Sequence, residues 1–329
     1  MSSSTSEIAL STMWSQRYNR MDRFVQDVQE FGFTHVELNS ILTPEKLDEL
    51  LKLGAKVSSI HCPCPITSSH LGIPAAGLQL SSLDEAERKE ALRFARATVE
   101  LASEVGAKGI VVHAGQVEID FRLEDRLHQL YTHCHCEPFA SCHSEGEKRP
   151  KNLAQGRLRE AISKEFETMR QQLISQRASH ASPYFEAARR SLHELADFAE
   201  RRDMRLGIET RFHFYEIPQP EEMEQLLQEL PPDVVGYWHD VGHAQVNSQL
   251  GFSSYKAWFE KFRSRLIGVH LHDVREIRDH WVPGVGSVDW DFTAQNLPPS
   301  VIKVCEIGEW NPRGACARTV PFLKKRGII

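Results

Sequence analysis

The sequence predicts an α/β chain folded as a single (β/α)8 barrel, and three observations point there. Short runs rich in β-branched residues recur eight times along the 329 residues, helix-like segments separate most of them, and ionisable side chains stand where the runs end. Runs such as Gly109-Ile-Val-Val112 show no polar alternation, which suits strands buried on both faces in a parallel sheet covered by helices. A doubly wound open sheet would place a glycine-rich turn after the first strand. Leu10-Ser-Thr-Met-Trp-Ser15 stands there instead.

The elements follow in order. Glu7–Met13 is the first strand and Tyr18–Phe31 the first helix; Thr34–Asn39 is the second strand, followed by a helix at Pro44–Leu53. Ala55–Cys62 is the third strand. After it comes the clearest helix, Asp84–Gly106, in which Leu92, Ala95, Val99 and Ala102 repeat at helical spacing and Gly106 supplies a stop. Ala107–Gly115 is the fourth strand. A stretch from 116 to 181 then breaks the rhythm, far longer than an ordinary connection, and is read as an insertion whose helical part is Gln155–Arg177. Leaving the C-terminal end of a barrel strand, it would overhang the mouth where barrel active sites lie. Tyr184–Arg202 is the next helix, Met204–Thr210 the fifth strand, Pro220–Leu230 a helix, and Asp233–Asp240 the sixth strand. Arg265–Asp273, preceded by a helix at Tyr255–Ser264, and Ser300–Gly308 complete the eight.

Composition narrows the function classes. With 41% hydrophobic and 26% charged residues the chain can bury a large core. No apolar run approaches the roughly 20 residues of a membrane span, and Met1-Ser-Ser-Ser-Thr-Ser6 lacks the character of a secretory signal, so a cytoplasmic location is expected. A formal charge of −6 argues against a surface that coats nucleic acid. Seven cysteines, an odd count without a CxxC pair, indicate reduced thiols rather than a disulfide framework. The insertion holds His133-Cys-His-Cys136, Cys142-His143 and the basic residues Lys148, Arg149, Lys151, Arg157 and Arg159. This Cys/His spacing matches no standard zinc finger and is read as surface thiols.

The chemistry concentrates at the strand ends, which carry Glu37, His61, His113, Glu209, Asp240, His270 and Glu306. One such residue alone is as well explained by a hydrogen-bonded core group. Seven together call for an opposite charge, because unpaired charges are costly where strands are buried; a metal ion supplies it. Glu209, Asp240, His270 and Glu306 would offer three carboxylates and one imidazole, a hard donor set suited to Mn²⁺ or Zn²⁺, with Co²⁺ and Mg²⁺ as further candidates. Such an ion would polarise a carbonyl and its neighbouring hydroxyl and stabilise an enediolate.

The segments Ser59-Ile-His61-Cys-Pro63, Val112-His113-Ala-Gly115, Gly207-Ile-Glu209, His239-Asp240-Val-Gly-His243, Val269-His270-Leu-His-Asp273, His280-Trp-Val-Pro-Gly284-Val-Gly286 and Val304-Cys-Glu306 occur in the order of a known family. The chain resembles the xylose-isomerase-like TIM-barrel superfamily of sugar phosphate isomerases/epimerases, ketose 3-epimerases, inosose dehydratase and endonuclease IV. That resemblance implies one divalent metal on Glu209, Asp240, His270 and Glu306, with Glu209 and Glu306 also as catalytic acid and base. It implies substrate contacts at His243 and, in our reading, at His61, His113 and His280, and a small-molecule sugar or sugar derivative as partner. The same histidines match most of the three-metal site of endonuclease IV, so additional metals through His61, His113, His243 and His280, and cleavage of abasic DNA, form the alternative. Arg278 departs from that pattern, since the nuclease has Asp two residues before His280 and here Asp279 stands one place on. A non-catalytic ligand-binding barrel is a third reading, and a homo-oligomer is compatible with all three. His272 and Asp273 are expected to orient His270, the Pro283–Gly286 loop to bring backbone N–H groups to the mouth, and Trp14 and Trp281 to offer a sugar-facing wall, with Trp238 in the packing.

Overall fold

Eight short strands, each nested within one of the eight β-branched runs, close into a parallel barrel in the computed structural model, which describes residues 7–135 and 153–329. They are Ala9–Ser11, His35–Leu38, Val57–His61, Gly109–Val112, Leu206–Glu209, Val235–Asp240, Leu266–His270 and Ile302–Cys305. Each pairs with its neighbours in sequence, and the last pairs with the first through Ala9 against Val304 and Leu10 against Cys305. Almost every strand residue is buried, as continuous apolar runs require when helices cover the outside and side chains fill the inside.

The barrel interior is filled by Ala9, Val111, Trp238, Ile267 and Val304. Trp238 is fully buried, and two glycines on adjacent strands make room for it: a Cβ on Gly268 would come within 2.1 Å of the indole, and one on Gly207 within 2.8 Å. Trp238 therefore forms a floor beneath the C-terminal mouth, its ring centroid 5.2 Å from that of His270. Trp14 is also fully buried and donates from Nε1 to Asp27, so the expected wall does not include it.

The outer helices α1 (Met21–Glu30), α2 (Pro44–Lys52) and α3 (Glu85–Val105) follow the predicted spans. Asp84 caps α3 by accepting from the N–H groups of Ala86 and Glu87, and Gly106 ends it at φ 70°. The insertion departs from expectation. Its first part is a helix, α4 (Arg122–His135), and the two predicted helices after it are one, α5 (Leu153–Glu200), which runs without a break through Pro183. The proline removes one helical hydrogen bond, but Phe185, Ala188, Leu192, Leu195 and Ala199 beyond it are buried in the core and hold the helix in line. The proposed boundary at residue 181 thus falls inside a helix. His133-Cys-His-Cys136, Cys142-His143 and the basic residues from Lys148 to Arg159 lie outside the residues whose side chains are described.

Helices α6 (Pro220–Glu229) and α8 (Tyr255–Phe262) match their predicted spans, while α7 (Val241–Gln249), which starts directly after the sixth strand, and a hairpin of Asp273–Arg275 with Arg278–Trp281 were not expected. Among the described residues no helix is long and apolar enough to cross a membrane.

Candidate metal centre

Four consecutive barrel strands, the fifth to the eighth, deliver Glu209, Asp240, His270 and Glu306 to one point. Glu209, Asp240 and His270 end their strands, and Glu306 follows the last residue of its own. One donor atom of each lies within 4.8 Å of the others, and all four side chains are buried. Nδ1 of His270 is the hub. It stands 2.6 Å from Glu209 Oε1, 3.2 Å from Glu306 Oε2 and 3.5 Å from Asp240 Oδ2.

Each carboxylate is anchored from outside. Arg211 Nη1 donates to Glu209 Oε2 at 2.7 Å, the His243 backbone N–H to Asp240 Oδ1 at 2.7 Å, and Asn39 Nδ2 to Glu306 Oε1 at 2.9 Å. In each case the other oxygen faces His270. On the far side, His270 Nε2 lies 3.0 Å from Glu37 Oε1. Glu37 is fully buried and its Oε2 also accepts from Ser59 at 2.8 Å. A donor at Nε2 leaves the Nδ1 lone pair aimed at the three inward oxygens. Four lone-pair atoms sharing one point require a positive charge there, and this donor set fits a divalent cation. With a proton in that role, burial works against a charged His270, but Glu306, Glu37 and Glu209 hold its pKa well above the usual histidine range. The same contacts hold Glu209 well below the carboxylate range and Glu306 at about 2, in both cases against burial.

Glu37 was visible as a strand-end acid but had no assigned part. Its position gives a first prediction: Glu37→Ala is expected to weaken divalent-metal binding 10- to 100-fold, on the order of other carboxylates that orient a ligating histidine. Competition with a coloured chelator checks it, and affinity within twofold of wild type would assign Glu37 to packing alone.

His61, His113, His243 and His280 all line the mouth, a cavity of about 420 Å³ shared with Asn39, Phe212, His213 and Asp279. His113 Nε2 lies 2.7 Å and His61 Nε2 3.7 Å from Glu209 Oε2. Burial first, then Arg211 and His61, push His113 down to about 3, so it is neutral. His243 has Nδ1 2.9 Å from the Thr210 carbonyl and Nε2 3.4 Å from Asp279. Burial opposes its charge, but Asp240 and Asp279 raise it to about 9. Asp279 also lies 3.0 Å from His280 Nδ1. His280 itself has a left-handed backbone, with φ +56°.

Two expectations are corrected. His272 Nε2 contacts Asp240 at 2.9 Å, so it orients Asp240 rather than His270. Asp273 accepts from the N–H groups of Gly284 and Val288 and from Trp290 Nε1; the Gly284 N–H is therefore committed to the loop and does not serve the mouth. Arg211 was missed altogether. It sits two residues after Glu209, in the loop beyond the strand, where no periodicity marks the side to which a side chain turns.

A family profile described as xylose isomerase-like TIM barrel matches residues 118–325. The chain belongs to this family. No curated protein sequence matches the chain of this xylose isomerase-like barrel significantly, but solved structures do. A D-tagatose 3-epimerase-like protein superposes with a TM-score of 0.63 at 16% identity, covering 97% of this chain and 96% of that one. The 3-keto-D-glucoside 4-epimerase from E. coli gives 0.58 at 17% identity, over 97% and 99%. The IolI protein with a bound zinc atom gives 0.59 at 13% identity, over 98% and 96%.

Proposed function

We propose that this xylose isomerase-like barrel is a divalent-metal-dependent isomerase or epimerase acting on a sugar or sugar derivative. The observation that carries the reading is the convergence of Glu209, Asp240, Glu306 and His270 Nδ1, with the outer oxygen of every carboxylate already anchored. Neighbours of the same fold bear the names of sugar epimerases, and one holds zinc. When bound, the ion would polarise a carbonyl and its adjacent hydroxyl and so acidify the C–H bond between them; Zn²⁺ and Mn²⁺ are the first candidates.

The chain's own residues would do the rest. Glu209 and Glu306 come from the two ends of the four-strand arc, so a substrate seated between them presents one face to each. One carboxylate would remove the proton next to the carbonyl, and the other would return a proton to the opposite face. His243 and His280, both within the mouth, would hold substrate hydroxyls, as would His61 and His113. Glu124 of α4 accepts from the backbone N–H of Phe214 at 3.0 Å and so braces the loop after the fifth strand, whose Phe212 and His213 line the cavity.

The test is deuterium exchange. Protein loaded with Mn²⁺ or Zn²⁺ is incubated in D2O with a panel of ketopentoses, ketohexoses and their phosphates. We expect deuterium at the carbon beside the carbonyl of at least one, with a new epimer or isomer; metal-replete protein that exchanges none of them sinks the reading. The placement of Asp279 between His243 and His280 favours the alternative of an endonuclease IV-like multi-metal phosphodiesterase, for which the metal-loaded protein would cleave an abasic duplex.

A further inference from the structure

We propose that His61, His113 and Glu209 form a second divalent-cation site that Arg211 fills with its guanidinium, so that this chain holds fewer metal ions than its ligands allow. The inference shares Glu209 with the centre proposed above and to that extent rests on it. The three residues bring donor atoms within 4.8 Å of one another. His113 Nε2 and Glu209 Oε2 are 2.7 Å apart, and Nη1 of Arg211 lies against both, 2.7 Å from the carboxylate oxygen and in close contact with the imidazole nitrogen. A guanidinium only donates. His113 Nε2 thus meets the donor-only guanidinium and the acceptor-only Glu209 carboxylate at one point, where a metal ion would take the place of the guanidinium.

His61 is the independent sign. It is 6% exposed, its Nδ1 is buried with no hydrogen-bond partner, and its Nε2 is 3.7 Å from Glu209 Oε2, too far for a hydrogen bond. An imidazole this buried is ordinarily satisfied at both nitrogens. Here the ring faces the cluster, with its centroid 4.5 Å from that of His113, as a ligand would, while the arginine satisfies only the other two members. By contrast, in the neighbouring trio His243, His272 and His280, His272 has both nitrogens engaged, Nε2 with Asp240 and Nδ1 with the His280 N–H.

Arg211 is fixed in this role. Glu216 Oε1 accepts from its Nε at 3.0 Å and its Nη2 at 2.5 Å, while Glu216 Oε2 accepts from the His213 N–H. Clamped between Glu209 and Glu216, the guanidinium supplies a permanent single charge without an open coordination position. It leaves no place for a metal-bound nucleophilic water beside the first centre, which favours proton transfer over hydrolysis. Arg211, His113 and Glu216 also form the partition between the mouth and a side chamber of about 230 Å³ lined by Gln79 and Gln116.

Metal counting tests this. Wild type, Arg211→Ala and the double variant Arg211→Ala/His113→Ala are titrated with Co²⁺, freed of excess ion by gel filtration and analysed for cobalt, with circular dichroism to establish folding. Arg211→Ala is expected to bind one more equivalent than wild type, and the double variant to lose that equivalent. Equal counts in folded Arg211→Ala and wild type overturn the proposal. Should Arg211→Ala fail to fold, single His113→Ala decides: an unchanged count supports the plug, and loss of one ion shows that the site is already metallated beside the arginine. Because the result is a difference between variants, a wild type that binds no cobalt would defeat the first centre while leaving the gain on removing Arg211 to be read.

Discussion

Glu306→Gln is expected to lower turnover about a thousandfold, the middle of the range for a positioned acid or base, on whichever sugar shows deuterium exchange. Glu306 is 3% exposed, and its two oxygens have separate duties. Oε1 accepts from Asn39, while Oε2 faces the centre 3.2 Å from His270 Nδ1. Glutamine keeps the shape but cannot take a proton. It also meets a conflict: with its oxygen toward the centre, its amide N–H groups confront those of Asn39. Some weakening of metal binding therefore accompanies the lost proton transfer, and cobalt content measured on the same preparation separates the two. A fall of less than tenfold at full metal occupancy would remove Glu306 from the proton path. Glu209→Gln is expected to match it in size, because the two glutamates flank the same seat from the fifth and eighth strands.

What could be read in advance, and what could not, follows from how each feature is encoded. The barrel strands were legible because burial on both faces leaves unbroken apolar runs. The cluster was legible because a carboxylate or imidazole closing such a run is chemically out of place. Helix α7 escaped notice because Asp240 both ends a strand and caps a helix, accepting from the His243 N–H, so no loop separates the two. The continuity of α5 through Pro183 is decided by core contacts on either side, which outweigh a local breaker. The partners behind the site were the least visible. Glu37 orients His270 across the barrel, 233 residues away in sequence, and Arg211 enters from a loop, where no periodicity marks its direction. Asp279 looked misplaced by one position, yet its carboxylate lies 3.4 Å from His243 and 3.0 Å from His280.

Asp240→Asn is expected to abolish the stabilisation that a bound metal gives the wild-type protein. In wild type, free metal at about a thousand times its Kd stabilises the fold by about 4 kcal/mol, on the order of 8 °C in Tm for a domain of this size. The substitution removes one of three carboxylates facing His270 Nδ1, and breaking such a buried charge set costs about 4 kcal/mol in the loaded state, which would erase the metal-induced shift. The metal-free protein should lose less. There His243, His272 and His270 hold the Asp240 carboxyl well below the usual carboxylate range, against burial, so its charge supports the fold at neutral pH even without metal. The cap on α7 survives, because asparagine accepts from the His243 N–H as well as aspartate does. Metal-free Asp240→Asn should thus melt somewhat below metal-free wild type and fail to gain on addition of Co²⁺ or Zn²⁺. A residue with a purely structural part predicts an equal loss of Tm with and without metal and an unchanged response to it. Thermal melts of both proteins with chelator and with metal distinguish the two, since only a metal ligand makes the loss larger in the presence of the cation.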